Sequence, residues 1–131
     1  ILLLNQYPCA PVGPILSTVM MQAYGIDFVK AVCSMLTGDS INIEAQNQQS
    51  CGIHYIDLEP GKLNKISSLE EAKSLQNVVD FQLDVMPGDD ILIPTRQSQR
   101  DGYVIISAES PEQSQKVFQQ VLNSIHYELQ T

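Results

Sequence analysis

Apolar residues recur at helical spacing in two short stretches near the start of the sequence, over residues 15–24 and 28–37. Pro14 precedes the first stretch and suits the first turn of a helix, where its missing N–H is not needed. Asp27 precedes the second stretch and is a suitable N-cap. Gly25 and Gly38 follow the two stretches, and each predicts a left-handed residue that ends a helix. The sequence therefore predicts two helices joined by a very short hinge.

Beyond a polar, amide-rich connection over residues 40–50, the spacing of apolar residues changes from helical to alternating. Alternating segments predict strands on both sides of the turn signal "EPGK", then in "NVVDFQLDV", in the short run after "MPGDD" and in "DGYVIISAES". Two helices are predicted among these strands. "SSLEEAKSL" resembles a capping box, and the helix after Ser110 has Pro111 at its first position and an apolar stripe.

The first five residues predict a short buried strand, which leads into a loop rich in proline. Taken together, the pattern predicts an α+β fold in two parts. Residues 1–45 hold a strand and a helix pair, and residues 46–131 form a small antiparallel sheet with helices. The chain has no initiator Met, and we expect it to be cut out of a longer protein.

Composition narrows the classes of function. The chain has 131 residues, is 44% hydrophobic and carries a net charge of −8, which is ordinary for a globular protein. No apolar run reaches the roughly 18–20 residues that cross a bilayer, so no membrane association is expected. No cluster of Lys and Arg occurs, so no nucleic-acid partner is expected. Three widely spaced cysteines indicate reduced thiols in a cytoplasmic protein.

Few residues suggest chemistry by their local pattern. Asp89 and Asp90 are adjacent carboxyl groups, for which a solvated turn is favoured over a metal site. Arg96 and Arg100 flank a polar tripeptide, and a surface loop is favoured over an anion contact. His54 lies on a predicted strand with no obvious partner, so a half-exposed histidine is favoured over a general base.

Cys9 lies in the proline-rich loop, a place where functional residues concentrate. Nothing near it in the sequence would lower the pKa of its thiol, so a nucleophilic role has little support. No glycine-rich phosphate loop and no nucleophile elbow occurs. Local residue chemistry therefore indicates no particular reaction.

The arrangement as a whole resembles the end of the ATP-grasp catalytic domain. In that family an acidic-x-Asn-x-Arg strand is followed by a helix, the phrase "tGvDlv", a second helix and a glycine. "YGIDFVKAV" and "LTGD" fit this order. "CGIHYIDLEPGKLNKI" and "RDGYVIISAESPEQSQKVFQQVL" resemble the small C-terminal lobe of carboxylate–amine ligases related to L-amino acid ligases and biotin carboxylase. Ser114 stands where Ala is commoner.

The resemblance implies an ATP-dependent ligase, in which ATP phosphorylates a carboxylate and an amine displaces the phosphate. ATP and two Mg²⁺ ions are then cofactors of the whole ligase, and an upstream ATP-grasp domain is a partner of this chain. Matching the family strand places Asn5 at the metal-binding Asn, Leu3 at the Glu and Tyr7 at the Arg. Only Asn5 offers an oxygen that suits Mg²⁺ there. The metal-site strand is therefore degenerate.

Two interpretations stay open from the sequence. The first is a C-terminal portion of a carboxylate–amine ligase that is not catalytically complete by itself. The second is a non-catalytic module derived from an ATP-grasp domain, which binds a protein partner or forms a homodimer.

Overall fold

The computed structural model describes residues 14–95 and 100–130. The chain divides into two compact units between Gln48 and Gln49. The sequence predicted a boundary between two domains of the longer protein at residues 45 and 46, and that boundary stays a prediction.

The first unit contains the two predicted helices, α1 (Pro14–Tyr24) and α2 (Phe28–Thr37). Gly25 follows α1 with a φ of +71°. The Asp27 side chain accepts a hydrogen bond from the Lys30 backbone N–H at 2.9 Å and caps α2. Gly38 ends α2 with a φ of +80°, a conformation that glycine adopts without steric cost. The predicted helix ends are therefore confirmed.

The two helices of the first unit form a bent pair. Their axes lie at 102° to each other. Among the described residues no single helix has the length and apolarity to cross a membrane. The bent pair of α1 and α2 has them only when the two helices are counted together. The bend follows from two residues between the helices, the left-handed Gly25 and the N-cap Asp27. Each of them interrupts helical hydrogen bonding.

Helix α2 is apolar, yet none of its residues is buried within the chain. Val29, Met35 and Leu36 are 57%, 60% and 79% exposed. The connection that follows α2 is tied to the end of α1, because the Gln46 backbone N–H donates to the Tyr24 carbonyl at 2.8 Å. An apolar helix face that the described part of the chain leaves exposed indicates a surface for association.

The second unit contains six strands and two helices among its described residues. The strands are β1 (Ser50–Ile56), β2 (Gly61–Ser67), β3 (Val78–Leu83), β4 (Asp90–Ile91), β5 (Gly102–Ala108) and β6 (His126–Leu129), and the helices are α3 (Leu69–Ser74) and α4 (Pro111–Ser124). They form two antiparallel sheets of three strands, in the orders β1-β5-β3 and β4-β2-β6. The predicted α+β class with a small antiparallel sheet is confirmed.

Strands β1 and β2 flank the predicted turn "EPGK", but they do not pair with each other. β1 pairs with β5, whereas β2 pairs with β4 and β6. Alternation of apolar residues fixes which face of a strand is buried, and it leaves the choice of neighbouring strand to tertiary packing. The local pattern predicted both strands and did not assign them to separate sheets.

The predicted capping box of α3 is wrong. Ser68 is the residue before the helix, but it has a φ of +65° and its side chain makes no capping hydrogen bond. A residue in the left-handed region does not aim its side chain at the first turn of the helix as an extended N-cap does. By contrast, Ser110 is extended, and its hydroxyl accepts from the Gln113 backbone N–H at 3.2 Å, as predicted for α4.

The core of the second unit lies between β5, the strands beside it and α4. Val104, Ile106, Val117 and Val121 are buried in one cluster with residues from the other sheet and from α3. Burial of this apolar surface is the main stabilising contribution, at roughly 25 cal/mol per Å². The core also fixes the N-terminal half of α4 against β1, which positions the side chains described next.

Candidate functional site

The residues matched to the metal strand lie outside the described part of the structure. These are Leu3, Asn5 and Tyr7, and Cys9 and Arg96 lie outside it as well. Asn5 as a Mg²⁺ ligand therefore stays a prediction. Within residues 14–95 and 100–130, no group of three or more His, Cys, Asp or Glu side chains is placed to hold a metal ion.

The adjacent carboxyl groups of Asp89 and Asp90 belong to a turn, as the sequence favoured. The Asp89 side chain accepts from the Met86 backbone N–H at 2.8 Å, and the Asp89 N–H donates to the Met86 carbonyl at 3.0 Å. Asp90 begins β4 opposite Lys62. Asp89 thus closes the loop that leads into β4, which accounts for the acidic residue at this position.

Arg100 and Asp57 form an ion pair between the start of β5 and the end of β1. The guanidinium also lies over the Tyr55 ring, 5.6 Å from its centroid. Its Nε is buried and has no hydrogen-bond partner among the described residues. The next residue, Asp101, is buried and accepts from the Leu58 backbone N–H at 2.7 Å. These contacts hold the end of β1 to the start of β5, and Asp57 already neutralises the cation.

His54 has a partner that the sequence did not indicate. Its Nε2 lies 2.9 Å from Ser114 Oγ on α4, and its ring stacks on Phe118 with centroids 4.7 Å apart. Ser114 and Phe118 are four residues apart, so one face of α4 presents both to β1. The half-exposed strand histidine that the sequence favoured is confirmed. Its partner was not apparent in the sequence, because it lies 60 residues away along the chain.

A groove runs beside this pair, between β1 and the first turns of α4. It has a volume of about 280 Å³ and is lined by residues 50–54 of β1 and by Pro111, Ser114 and Gln115 of α4. Burial lowers the pKa of His54 and raises the pKa of the Cys51 thiol. The imidazole is therefore neutral near pH 7, and the thiol forms little of the thiolate that nucleophilic attack requires.

The His54–Ser114 contact has the donor and acceptor of a nucleophile–base pair but lacks its other parts. Ser114 is only 5% exposed, and no third described group hydrogen-bonds to His54 Nδ1. A catalytic base of this type needs an orienting partner and an accessible nucleophile. The contact instead anchors α4 to β1. The apolar stripe of α4 pointed to the helix face that carries Ser114, but no local pattern paired Ser114 with His54.

We expect the stability of the chain to fall as the pH is lowered through the titration of His54. The folded state lowers the pKa of His54 below its ordinary value of 6.5, so the unfolded chain binds the proton more tightly. The stability that the neutral His54 side chain contributes is therefore fully present above the pKa of His54 in the unfolded chain. It is lost as the pH falls through the lower pKa of His54 in the folded chain. Urea unfolding between pH of about 8 and about 5 measures this dependence.

A His54→Gln variant is the control, because it keeps a polar side chain and removes the titration. Its stability should vary less with pH than that of the natural sequence over the same range. An equal pH dependence in both proteins would show that other groups cause it.

Comparison with known proteins shows the family to which the chain belongs. Residues 54–130 match the model of the family described as L-amino acid ligase C-terminal domain 2. The chain belongs to this family. The match covers more than half of the sequence and includes β2 to β6 with both helices of the second unit. A search of curated proteins found no match.

Two solved structures share the fold. One is described as an L-amino acid ligase from Bacillus licheniformis, with a TM-score of 0.68, 22% identity, and coverage of 89% of this chain and 30% of that one. The other is described as a phosphoribosylglycinamide synthetase from Anaerococcus prevotii, with a TM-score of 0.71, 16% identity, and coverage of 88% and 30%. Both are ATP-grasp enzymes. The resemblance to the end of an ATP-grasp protein is confirmed, and the chain spans about a third of each structure.

Proposed function

We propose that this chain is the C-terminal portion of an ATP-dependent carboxylate–amine ligase and is not catalytically complete by itself. The observation that carries the proposal is the family match over residues 54–130. The fold shared with two ligase-sized ATP-grasp chains, each about three times as long, supports it. The whole protein would activate a carboxylate as an acyl-phosphate and join it to an amine.

The side chains at the matched strand positions offer too few oxygen ligands for a Mg²⁺ site. At the matched strand positions Leu3 offers no oxygen, and Tyr7 cannot replace a guanidinium that holds an anion. Asn5 supplies one neutral amide oxygen, whereas Mg²⁺ takes six oxygen ligands in an octahedral arrangement and favours carboxylates. ATP and Mg²⁺ therefore belong in this proposal to the larger protein, with Asn5 contributing one ligand.

The upstream ATP-grasp domain is the proposed partner of the first unit. The exposed apolar residues of α2 support this, because a soluble protein seldom leaves a whole helix of this composition uncovered. We also propose a cytoplasmic location, which the free thiols of Cys33 and Cys51 support.

In the longer protein, Asn5→Ala is expected to lower ADP release about tenfold or more, since loss of a contact that fixes a metal costs activity on that scale. Gln6→Ala is the matched control, because it removes an amide from the neighbouring residue that the family strand does not use for metal. The rate of ADP release with mixed amino acids is the measurement. An unchanged rate in Asn5→Ala would remove Asn5 from the metal site.

The intact mass and N-terminal sequence of the native polypeptide in its source cells test the ligase proposal more directly. A product several times longer than 131 residues would support a ligase of which this chain is one part. A native product that starts near Ile1 would contradict that proposal.

The second candidate is a non-catalytic, ATP-grasp-derived module that binds a protein partner or forms a homodimer. Apolar residues on the surface of the second unit favour it, since Leu92 and Ile93 next to β4 are 69% and 72% exposed. A folded chain that neither responds to ATP nor requires upstream sequence for solubility would favour this module over the ligase fragment.

A further inference from the structure

Strand β1 lies at one edge of its sheet along its whole length. It pairs with β5 without any shift in register from Ser50 to Ile56, and the sheet order leaves its other side without a neighbouring strand among the described residues. Its sequence, "SCGIHYI", has none of the charged residues or prolines that usually block pairing at an edge. The outward N–H and C=O groups of β1 can therefore pair with an added strand.

The groove described above lies between this edge and helix α4. Residues 50–54 of β1 line one side of it, and Pro111, Ser114 and Gln115 of α4 line the other. None of these residues carries a charge near pH 7. An edge strand with a groove beside it offers an extended peptide two kinds of contact, namely main-chain hydrogen bonds along the strand and a pocket for alternate side chains.

Gly52 opens the groove in the middle of the β1 edge. An added Cβ there would meet no atom within 4 Å. Gly52 and His54 share a face of β1, since they are two residues apart, and His54 contacts Ser114 on α4. Because cross-strand neighbours share a face of the sheet, a side chain opposite Gly52 would enter the groove. The lining offers no partner for a charge, which favours an uncharged side chain there.

Carboxylates stand at the end of the groove beside Ser50. Glu109 follows the residue that pairs with Ser50, and Glu112 lies in the first turn of α4. Both are exposed, and neither forms an ion pair among the described residues. At the other end of β1, Arg100 already neutralises the carboxylate of Asp57. The free negative charge at the Ser50 end is complementary to a basic segment.

We propose that the β1 edge and its groove bind an extended segment of a partner polypeptide, uncharged opposite Gly52 and basic beside Glu109 and Glu112. The segment pairs antiparallel to β1, the slightly more stable arrangement, so its basic residues lie towards its C-terminal end. A second copy of β1 does not fit, since β1 has no Lys or Arg and each chain carries a net charge of −8. This inference concerns β1 and α4 alone and does not depend on the ligase proposal.

Fluorescence anisotropy of a labelled, capped peptide tests the proposal. The peptide has a centre of alternating valine and threonine and two lysines at its C-terminal end. We expect the 131-residue chain to bind it with a Kd below about 1 mM, and to bind about tenfold more weakly when glutamates replace the lysines. A proline in the centre should abolish binding, because it removes a main-chain donor and leaves the charge unchanged.

Variants of the chain test the two parts of the proposed site. Glu109→Gln combined with Glu112→Gln should raise the Kd about threefold or more. Glu71→Gln combined with Glu128→Gln removes the same charge from exposed positions outside the groove and should leave the Kd unchanged. Gly52→Val should raise the Kd about tenfold or more, because its side chain fills the groove. Circular dichroism checks that each variant is folded, and Gly52→Ala replaces Gly52→Val if that variant is not.

Hydrogen exchange with and without the peptide identifies the surface. Slower exchange of β1 amides, with no change in β3, is the expected result. Equal binding of the peptide that contains proline would show charge attraction alone and overturns the proposal. So does the absence of binding at about 1 mM, protection of another strand in place of β1, or a dimer of the chain that is paired through β1.

Discussion

Replacing Gly102 with alanine is expected to lower the free energy of unfolding by about 2–4 kcal/mol. A Cβ at this position would lie 2.3 Å from the Gln82 carbonyl oxygen and 3.0 Å from Leu83 Cα. Both are backbone atoms of β3, which is held to β5 by its own pairing. Leu83 Cδ1 lies 2.9 Å from the same position and can move away, but the two backbone atoms cannot, so the strands themselves must separate.

Gly52→Ala is the matched control for this prediction, since both glycines lie in the same sheet. An added Cβ at Gly52 meets nothing within 4 Å, so the change should stay within about 0.5 kcal/mol or stabilise the chain slightly. Urea unfolding of both variants measures the difference. Equal losses at the two positions would contradict the steric explanation.

Replacing Asp101 with alanine is expected to cost about 2–3 kcal/mol of folding free energy, because it leaves a buried backbone donor without an acceptor. Asp101 is 8% exposed, and its carboxyl group accepts a hydrogen bond from the Leu58 N–H at 2.7 Å. Leu58 is itself 8% exposed, so water has little access to replace the lost bond. The contact joins the segment after β1 to the start of β5.

Two variants separate the lost acceptor from the lost charge. Asp101→Asn keeps an oxygen at the same place and should lose less than half as much stability as Asp101→Ala. Asp57→Ala removes the partly exposed partner of Arg100, and a pair of this kind contributes no more than about 1 kcal/mol. Denaturant unfolding measures the free energy of unfolding of the three variants and ranks them by it. An Asp101→Asn protein as unstable as Asp101→Ala would assign the effect to charge.

The sequence by itself determined the local structure wherever a residue acts on its own backbone neighbours. Asp27 and Ser110 cap α2 and α4, and Gly25 and Gly38 end α1 and α2. These outcomes depend on the φ preference or hydrogen-bonding reach of one residue within a single turn. The phrase "YGIDFVKAV" contributed to the resemblance to ATP-grasp proteins for the same reason, since it records a local order of caps and apolar positions.

Tertiary structure decided the contacts between residues far apart in sequence. Ser68 has the composition of a cap but takes a left-handed conformation, and β6 follows α4 without a pattern that predicted it. Packing also chose β5 as the neighbour of β1 and brought Ser114 to His54. A periodic pattern specifies a face for burial but carries no information about which other face will cover it. The contact partners of these residues are therefore set by the way the sheets and α4 pack around one core, which the periodic pattern does not specify.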